Sequence, residues 1–111
     1  MKGIKQIIYQ YNNGSLIISI ENDKSKIQNN DTLLFVDNKL IFNYLDSLYR
    51  IIYNWQKEYI NMGLIDGSSW KLSITYENDN IEEYSGMSNY PTNFEAFERL
   101  NHKLISEAQN E

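Results

Sequence analysis

From Ser69 to Glu77 apolar and polar residues alternate without a break: Trp70, Leu72, Ile74 and Tyr76 against Lys71, Ser73, Thr75 and Glu77. Strand side chains point alternately to opposite faces, so this pattern describes a strand with one dry face and one wet face. Such a strand needs neighbours to satisfy its backbone and a second layer to cover its dry side. Three further runs read as strands. Residues 4–11 (IKQIIYQY) and 16–21 (LIISIE) are rich in β-branched and aromatic residues and flank Asn12-Asn13-Gly14-Ser15. Asn-Gly there is expected to supply the positive φ angles of a tight hairpin. Thr32–Val36 (TLLFV) is a short apolar run, read as a third strand. Residues 22–31, polar and turn-prone, are expected to form a loop.

The covering layer is written in the middle of the chain. Ile41, Leu45, Leu48, Ile52, Trp55, Tyr59 and Met62 recur at 4-3-4-3-4-3, the seam of a helix lying on a sheet. Asp37 or Asn38 is positioned to cap its start, and Gly63 to stop it after Met62. Asp46 and Arg50 can pair at i,i+4 on the opposite side. Phe42, Tyr49, Tyr53 and Ile60 fall along one further direction, about 100° round from the seam. Either a later helix covers this flank, which is the expectation, or it is exposed and meets a partner.

Asp66-Gly67-Ser68 turns the chain into the alternating strand, and Asn78-Asp79-Asn80 reverses it into Ile81–Ser85, expected at the sheet edge because of Glu82 and Glu83. After Tyr90-Pro91, Thr92 and Glu95 suggest a capping box. Phe94, Phe97, Leu100, Leu104, Ile105 and Ala108 form the apolar face of a last helix. The order expected is β-β-β-α-β-β-α: one α+β domain over residues 1–111, two-layered, with an antiparallel sheet of four to five strands, one long central helix and one C-terminal helix.

Charge is distributed unevenly. Residues 72–98 hold six carboxylates, Glu77, Asp79, Glu82, Glu83, Glu95 and Glu98, and no Lys or Arg, whereas the net charge of the whole chain is −5. A local negative field favours basic partners and repels nucleic acid. Ten scattered basic residues form no stripe to neutralise phosphates. Without cysteine there is no disulfide framework and no thiolate chemistry, which fits a reducing cytoplasm. With one His, a zinc site or a Ser/His/Asp set has little to draw on. The carboxylates around Asn78-Asp79-Asn80 lack calcium-loop spacing, and Glu82 and Glu83, adjacent in a strand, point to opposite faces rather than acting as a glycosidase pair. No metal, no cofactor, no direct nucleic-acid contact and no membrane segment are expected; the chain reads as cytoplasmic and not an enzyme.

Trp70-x-Leu72-x-Ile74-x-Tyr76, Tyr84-Ser85-Gly86 and Asn89-Tyr90-Pro91-x-Asn93-Phe94 together resemble the tails of small uncharacterised proteins from low-GC bacteria and their phages. In size and charge the chain is similar to phage and mobile-element anti-defence proteins, including anti-CRISPR proteins. That resemblance implies an acidic inhibitor in a host cytoplasm that occupies the basic surface of a nuclease or CRISPR effector. Glu77, Asp79, Glu82, Glu83, Glu95 and Glu98 would supply the charge, and Tyr84 and Tyr90 the apolar anchors. The alternatives are a homodimeric adaptor joined through Phe42, Tyr49, Tyr53 and Ile60, and a small-ligand sponge with a pocket near Trp55 and Tyr59.

Overall fold

The structure, a computed structural model, describes residues 3–60, 63 and 67–111. The elements run β1 (Ile4–Tyr11), β2 (Gly14–Ser19), β3 (Lys24–Asn29), β4 (Thr32–Asp37), α1 (Asn38–Ile52), β5 (Glu58–Ile60), β6 (Ser69–Tyr76), β7 (Ile81–Met87) and α2 (Phe94–Gln109). The fold is α+β: two helices and one seven-stranded sheet in the order β4-β3-β2-β1-β6-β7-β5, antiparallel except where β5 runs parallel to β7. Four to five strands were expected, and two short ones account for the difference.

The first is β3, inside the segment expected to be a loop. Its inward positions are Ser25 and Ile27, both fully buried. Ser25 pays no desolvation penalty because its hydroxyl donates to Asn38 Oδ1 at 2.6 Å. A buried serine breaks the apolar alternation that would have marked the strand. The second is β5, inside the segment expected to be helix. The helix ends at Ile52, with Tyr53 as its C-cap, and not near Met62, which lies outside the described residues. Trp55 Nε1 donates to Asn93 Oδ1 at 2.6 Å, and Asn93 Nδ2 donates to the Ile51 carbonyl in the last turn of the helix at 2.8 Å. These bonds hold Trp55 in the core, and the chain then adds Glu58–Ile60 to the outer edge of β7. Tertiary pairing here overrides helical periodicity. As a result β7, expected at the edge, is bordered by β5 along Ser85–Met87.

Two turn details also differ from expectation. Asn12 and Asn13 form the β1–β2 turn, with Gly14 already paired to Tyr11, and positive φ occurs elsewhere, at Asn30, Asp79 and Ser88 among non-glycine residues. Thr92 does not cap α2; Asn93 is its N-cap residue, with its side chain committed to Trp55 and Ile51. At α1, by contrast, Asp37 caps as expected, accepting from Lys39 N at 2.8 Å. Asp37→Ala should lower stability by about 1 kcal/mol, read as a shifted urea midpoint with unchanged slope.

Both helices lie on one face of the sheet. Ile7 and Tyr9 of β1, Leu16 and Ile18 of β2, and Trp70, Leu72 and Ile74 of β6 are buried beneath them with Ile41, Leu45, Leu48, Phe97 and Leu104 of the helices. Trp55 gathers the end of this core: its ring stacks on Phe94 at 5.9 Å and meets Trp70, Phe97 and Tyr84 edge-on at 5.5 to 5.9 Å. Among the described residues no helix covers the other sheet face. Phe35, Leu33, Ile81, Ile60 and Met87 are exposed, and register places them on this uncovered side. No helix among the described residues is long and apolar enough to cross a membrane.

Candidate partner-binding surfaces

Strand geometry separates the acidic residues of the second hairpin. Glu82 shares the helix-side face of β7 with Tyr84, and Glu83 points to the uncovered face. Each meets a base from a distant part of the chain. Lys57, just before β5, lies 3.4 Å from Glu82 and 4.3 Å above the Tyr84 ring. Lys71, opposite Ser85 on β6, lies 2.9 Å from Glu83. At the hairpin tip Asp79, in positive φ, pairs with Lys5 of β1. Along α2, Arg99 pairs with Glu95 at 2.8 Å. Four of the six carboxylates therefore hold cations of this chain, all in exposed pairs of small individual energy. Among the described residues, Glu77 and Glu98 have no such partner.

Hydrogen bonding sets the titration of this hairpin. The Tyr76 hydroxyl donates to Glu82 and holds its carboxyl below the usual carboxylate range; Tyr84, at 3.1 Å, and Lys57 act in the same direction, against partial burial. Glu83 is lowered by Lys71 first and then by the Ser73 hydroxyl at 3.2 Å. The phenols of Tyr76 and Tyr84 are both pushed up, chiefly by burial and then by Glu82. Tyr84 is buried, and the Tyr90 ring packs against Phe94 at 4.9 Å with its hydroxyl on Ser68 Oγ at 2.7 Å. Of these two expected anchors, Tyr90 alone remains substantially open, at 39% exposure.

The long-helix flank is arranged differently. α2 packs on the side of α1 that carries Tyr44, whose hydroxyl bonds Asn101 at 2.6 Å. It leaves the opposite flank bare: Phe42, Tyr49 and Tyr53 are 53%, 40% and 70% exposed, with the last two rings in edge contact at 5.6 Å. The expected cover by α2 is absent. Ile60 does not belong to this flank, because it lies in β5. Asp46 and Arg50 project beside the three aromatics and do not form the i,i+4 ion pair that their spacing allows.

Several shallow cavities exist. One of about 450 Å³ on the uncovered sheet face is bordered by Gln10, Lys71, Glu58, Ile60 and Met87. Another, of about 260 Å³, lies beside α2 and is lined by Tyr9, Tyr11, Glu98, Asn101 and His102. No cluster of three or more His, Cys, Asp or Glu able to hold a metal ion occurs among the described residues. Trp55, near which a small-ligand pocket was expected, is buried in the aromatic core.

Comparison with family models, with curated proteins and with solved structures finds no match to this chain. The tail motif nevertheless acquires a physical meaning. Trp70 Nε1 donates to the Asn89 carbonyl at 2.9 Å, and Gly86 lies against the same indole. Asn93 ties the end of α1 to Trp55, and Phe94 packs 4.9 Å from Trp70. Trp70, Gly86, Asn89, Asn93 and Phe94 of the motif thus close one end of the core. Asn101 is the functional candidate that the sequence reading missed. It occupies the centre of the 3-4-3-4 series Phe94, Phe97, Asn101, Leu104, Ala108, and a polar residue inside that series was the available signal.

Proposed function

We propose that this chain is a non-enzymatic protein-binding module that acts as a homodimer, two copies meeting along the bare flank of α1. One observation carries the reading: three exposed aromatics interleave with an acid and a base, Asp46 and Arg50, that form no ion pair among the described residues. Laid antiparallel about a twofold axis, two such flanks set Phe42 against Tyr53 of the second copy, and Asp46 against Arg50. The pattern is self-complementary in shape and charge, as an isologous interface requires. Aromatic side chains offer about 150–250 Å² each. With part of that already covered, six of them bring roughly 600 Å² into contact, about half of what a stable interface buries and in the range of weak, transient association. The dimer should therefore dissociate on dilution.

Light scattering and sedimentation across a concentration series test this. The parent should pass from dimer to monomer as it is diluted, whereas Tyr49→Glu/Tyr53→Glu should stay monomeric at every concentration. Asp46→Arg should weaken association about tenfold, and Asp46→Arg/Arg50→Asp should restore it. A parent that is monomeric throughout, or a double aromatic variant that dimerises as the parent does, removes the proposal. The acidic-inhibitor reading asks more of the molecule. Lys5, Lys57, Lys71 and Arg99 would have to release their carboxylates before a foreign basic surface could use them.

A further inference from the structure

Three features meet in the 260 Å³ cavity beside α2, and none of them is needed for the dimer. Its floor includes Asn101, only 4% exposed. The side-chain oxygen of Asn101 accepts from the buried Tyr44 hydroxyl, but its amide nitrogen has no hydrogen-bond partner among the described residues. Buried amide groups in folded proteins are nearly always satisfied, so an open arm beside a cavity marks a place where an acceptor is missing. The wall carries Glu98, a carboxylate without an ion pair among the described residues, although Arg99 and Lys103 share its helix. Two phenol rings, Tyr9 and Tyr11, with centroids 5.0 Å apart, line it as well, beside Asn29, Asn30 and His102. The same Tyr9, Tyr11 and Glu98 continue into a neighbouring cavity of about 450 Å³ that reaches Tyr90 and Phe94.

We infer that this cavity binds an organic cation carrying a nearby carbonyl oxygen, the chemistry of an arginine or lysine unit. Glu98 pairs with the guanidinium or ammonium, the Tyr9 and Tyr11 rings receive its flat or alkyl body, and the carbonyl accepts from Asn101 Nδ2. An anion is refused by Glu98. A purely apolar ligand would leave the amide of Asn101 as it is. A metal ion would find one carboxylate where several hard ligands are needed. Burial, followed by the nearby Glu98 charge, pushes the Tyr9 phenol up, so it remains a neutral donor rather than a competing anion.

The full-length chain, labelled with ¹⁵N, is titrated with three probes: free L-arginine, N-acetyl-L-arginine amide, and the uncharged N-acetyl-L-norleucine amide. Saturable shifts are expected at the side-chain amide of Asn101 and the backbone amides of Tyr9, Tyr11 and Glu98 with both arginine probes, and none with norleucine. Tighter binding of the capped amide than of the free amino acid assigns the source as a peptide segment; equal or weaker binding assigns a free amino acid. Glu98→Gln, at an exposed position, should keep the parent melting temperature and lose about tenfold in arginine affinity. Shifts of equal size with norleucine, no saturable shift with either arginine probe, or full affinity in Glu98→Gln would each overturn the assignment. Titrations at concentrations on both sides of the dimer transition separate this site from the α1 interface, since the site is complete within one copy.

Discussion

Trp55→Ala should lower the unfolding free energy by about 4 kcal/mol, a large part of the roughly 5–15 kcal/mol that holds a domain folded. The indole is 9% exposed and touches four rings: Trp70 and Tyr84, from the sheet, and Phe94 and Phe97, from α2. Rigid rings surround the indole and can close over the void only in part, so the cavity term adds to the lost transfer energy. The bond to Asn93 contributes less, because Asn93 is exposed and water can replace the donor. Trp55→Phe isolates that smaller part and should lose only about 1–2 kcal/mol. Urea unfolding followed by far-ultraviolet circular dichroism measures both. A loss below about 1 kcal/mol for the alanine variant would mean that Trp55 does not hold the end of the core, and the account of why α1 stops at Ile52 would fall with it.

What the sequence could show, and what it could not, follows from where each stabilising partner is found. β6 was legible because its dry face is filled entirely by large apolar residues, Trp70, Leu72 and Ile74, within eight consecutive positions. The Asp37 cap was legible because it bonds two residues ahead. β3 was hidden because Ser25 replaces an apolar residue and is satisfied by Asn38, thirteen positions away. β5 was hidden because Trp55 and Tyr59 fit the helical period. The competing attractions, Asn93 and the edge of β7, lie more than twenty residues downstream.

The charged segment teaches the same lesson in electrostatics. Counted along the chain, residues 72–98 contain no base; in space, Lys5, Lys57 and Lys71 come from three different parts of the sequence to Asp79, Glu82 and Glu83. Sheet register makes these encounters, since β1 and β7 both border β6. A charge run read in one dimension measures composition, not field. The flank of α1 is the converse case. Its aromatic stripe was visible from spacing, but whether α2 would lie over it depended on the side of α1 that Tyr44 and Asn101 select.

Gly86→Ala tests the other half of the tail motif and should lower stability by about 3 kcal/mol, the upper part of the range for overpacking. No unusual backbone angle is involved, for positive φ among the glycines occurs at Gly3 and Gly67. The obstacle is space. A Cβ at Gly86 would overlap the Trp70 indole nitrogen and the Asn89 carbonyl oxygen, and would come within 2.7 Å of Trp70 Cε2. Those first two atoms are bonded to each other, so the methyl must break the bond or push the indole into the ring cluster around Phe94. Both responses are expensive because cores are close-packed. Gly67→Ala supplies the contrast: φ is +80° there and none of the described residues beyond its chain neighbours comes within 4 Å, so its loss should be only the left-handed penalty of about 1–2 kcal/mol. Intrinsic tryptophan fluorescence adds a structural readout, because an indole displaced from Asn89 changes its surroundings: emission should shift in Gly86→Ala and stay unchanged in Gly67→Ala. Equal destabilisation of the two variants with unshifted emission would show that Gly86 is not there to admit Trp70.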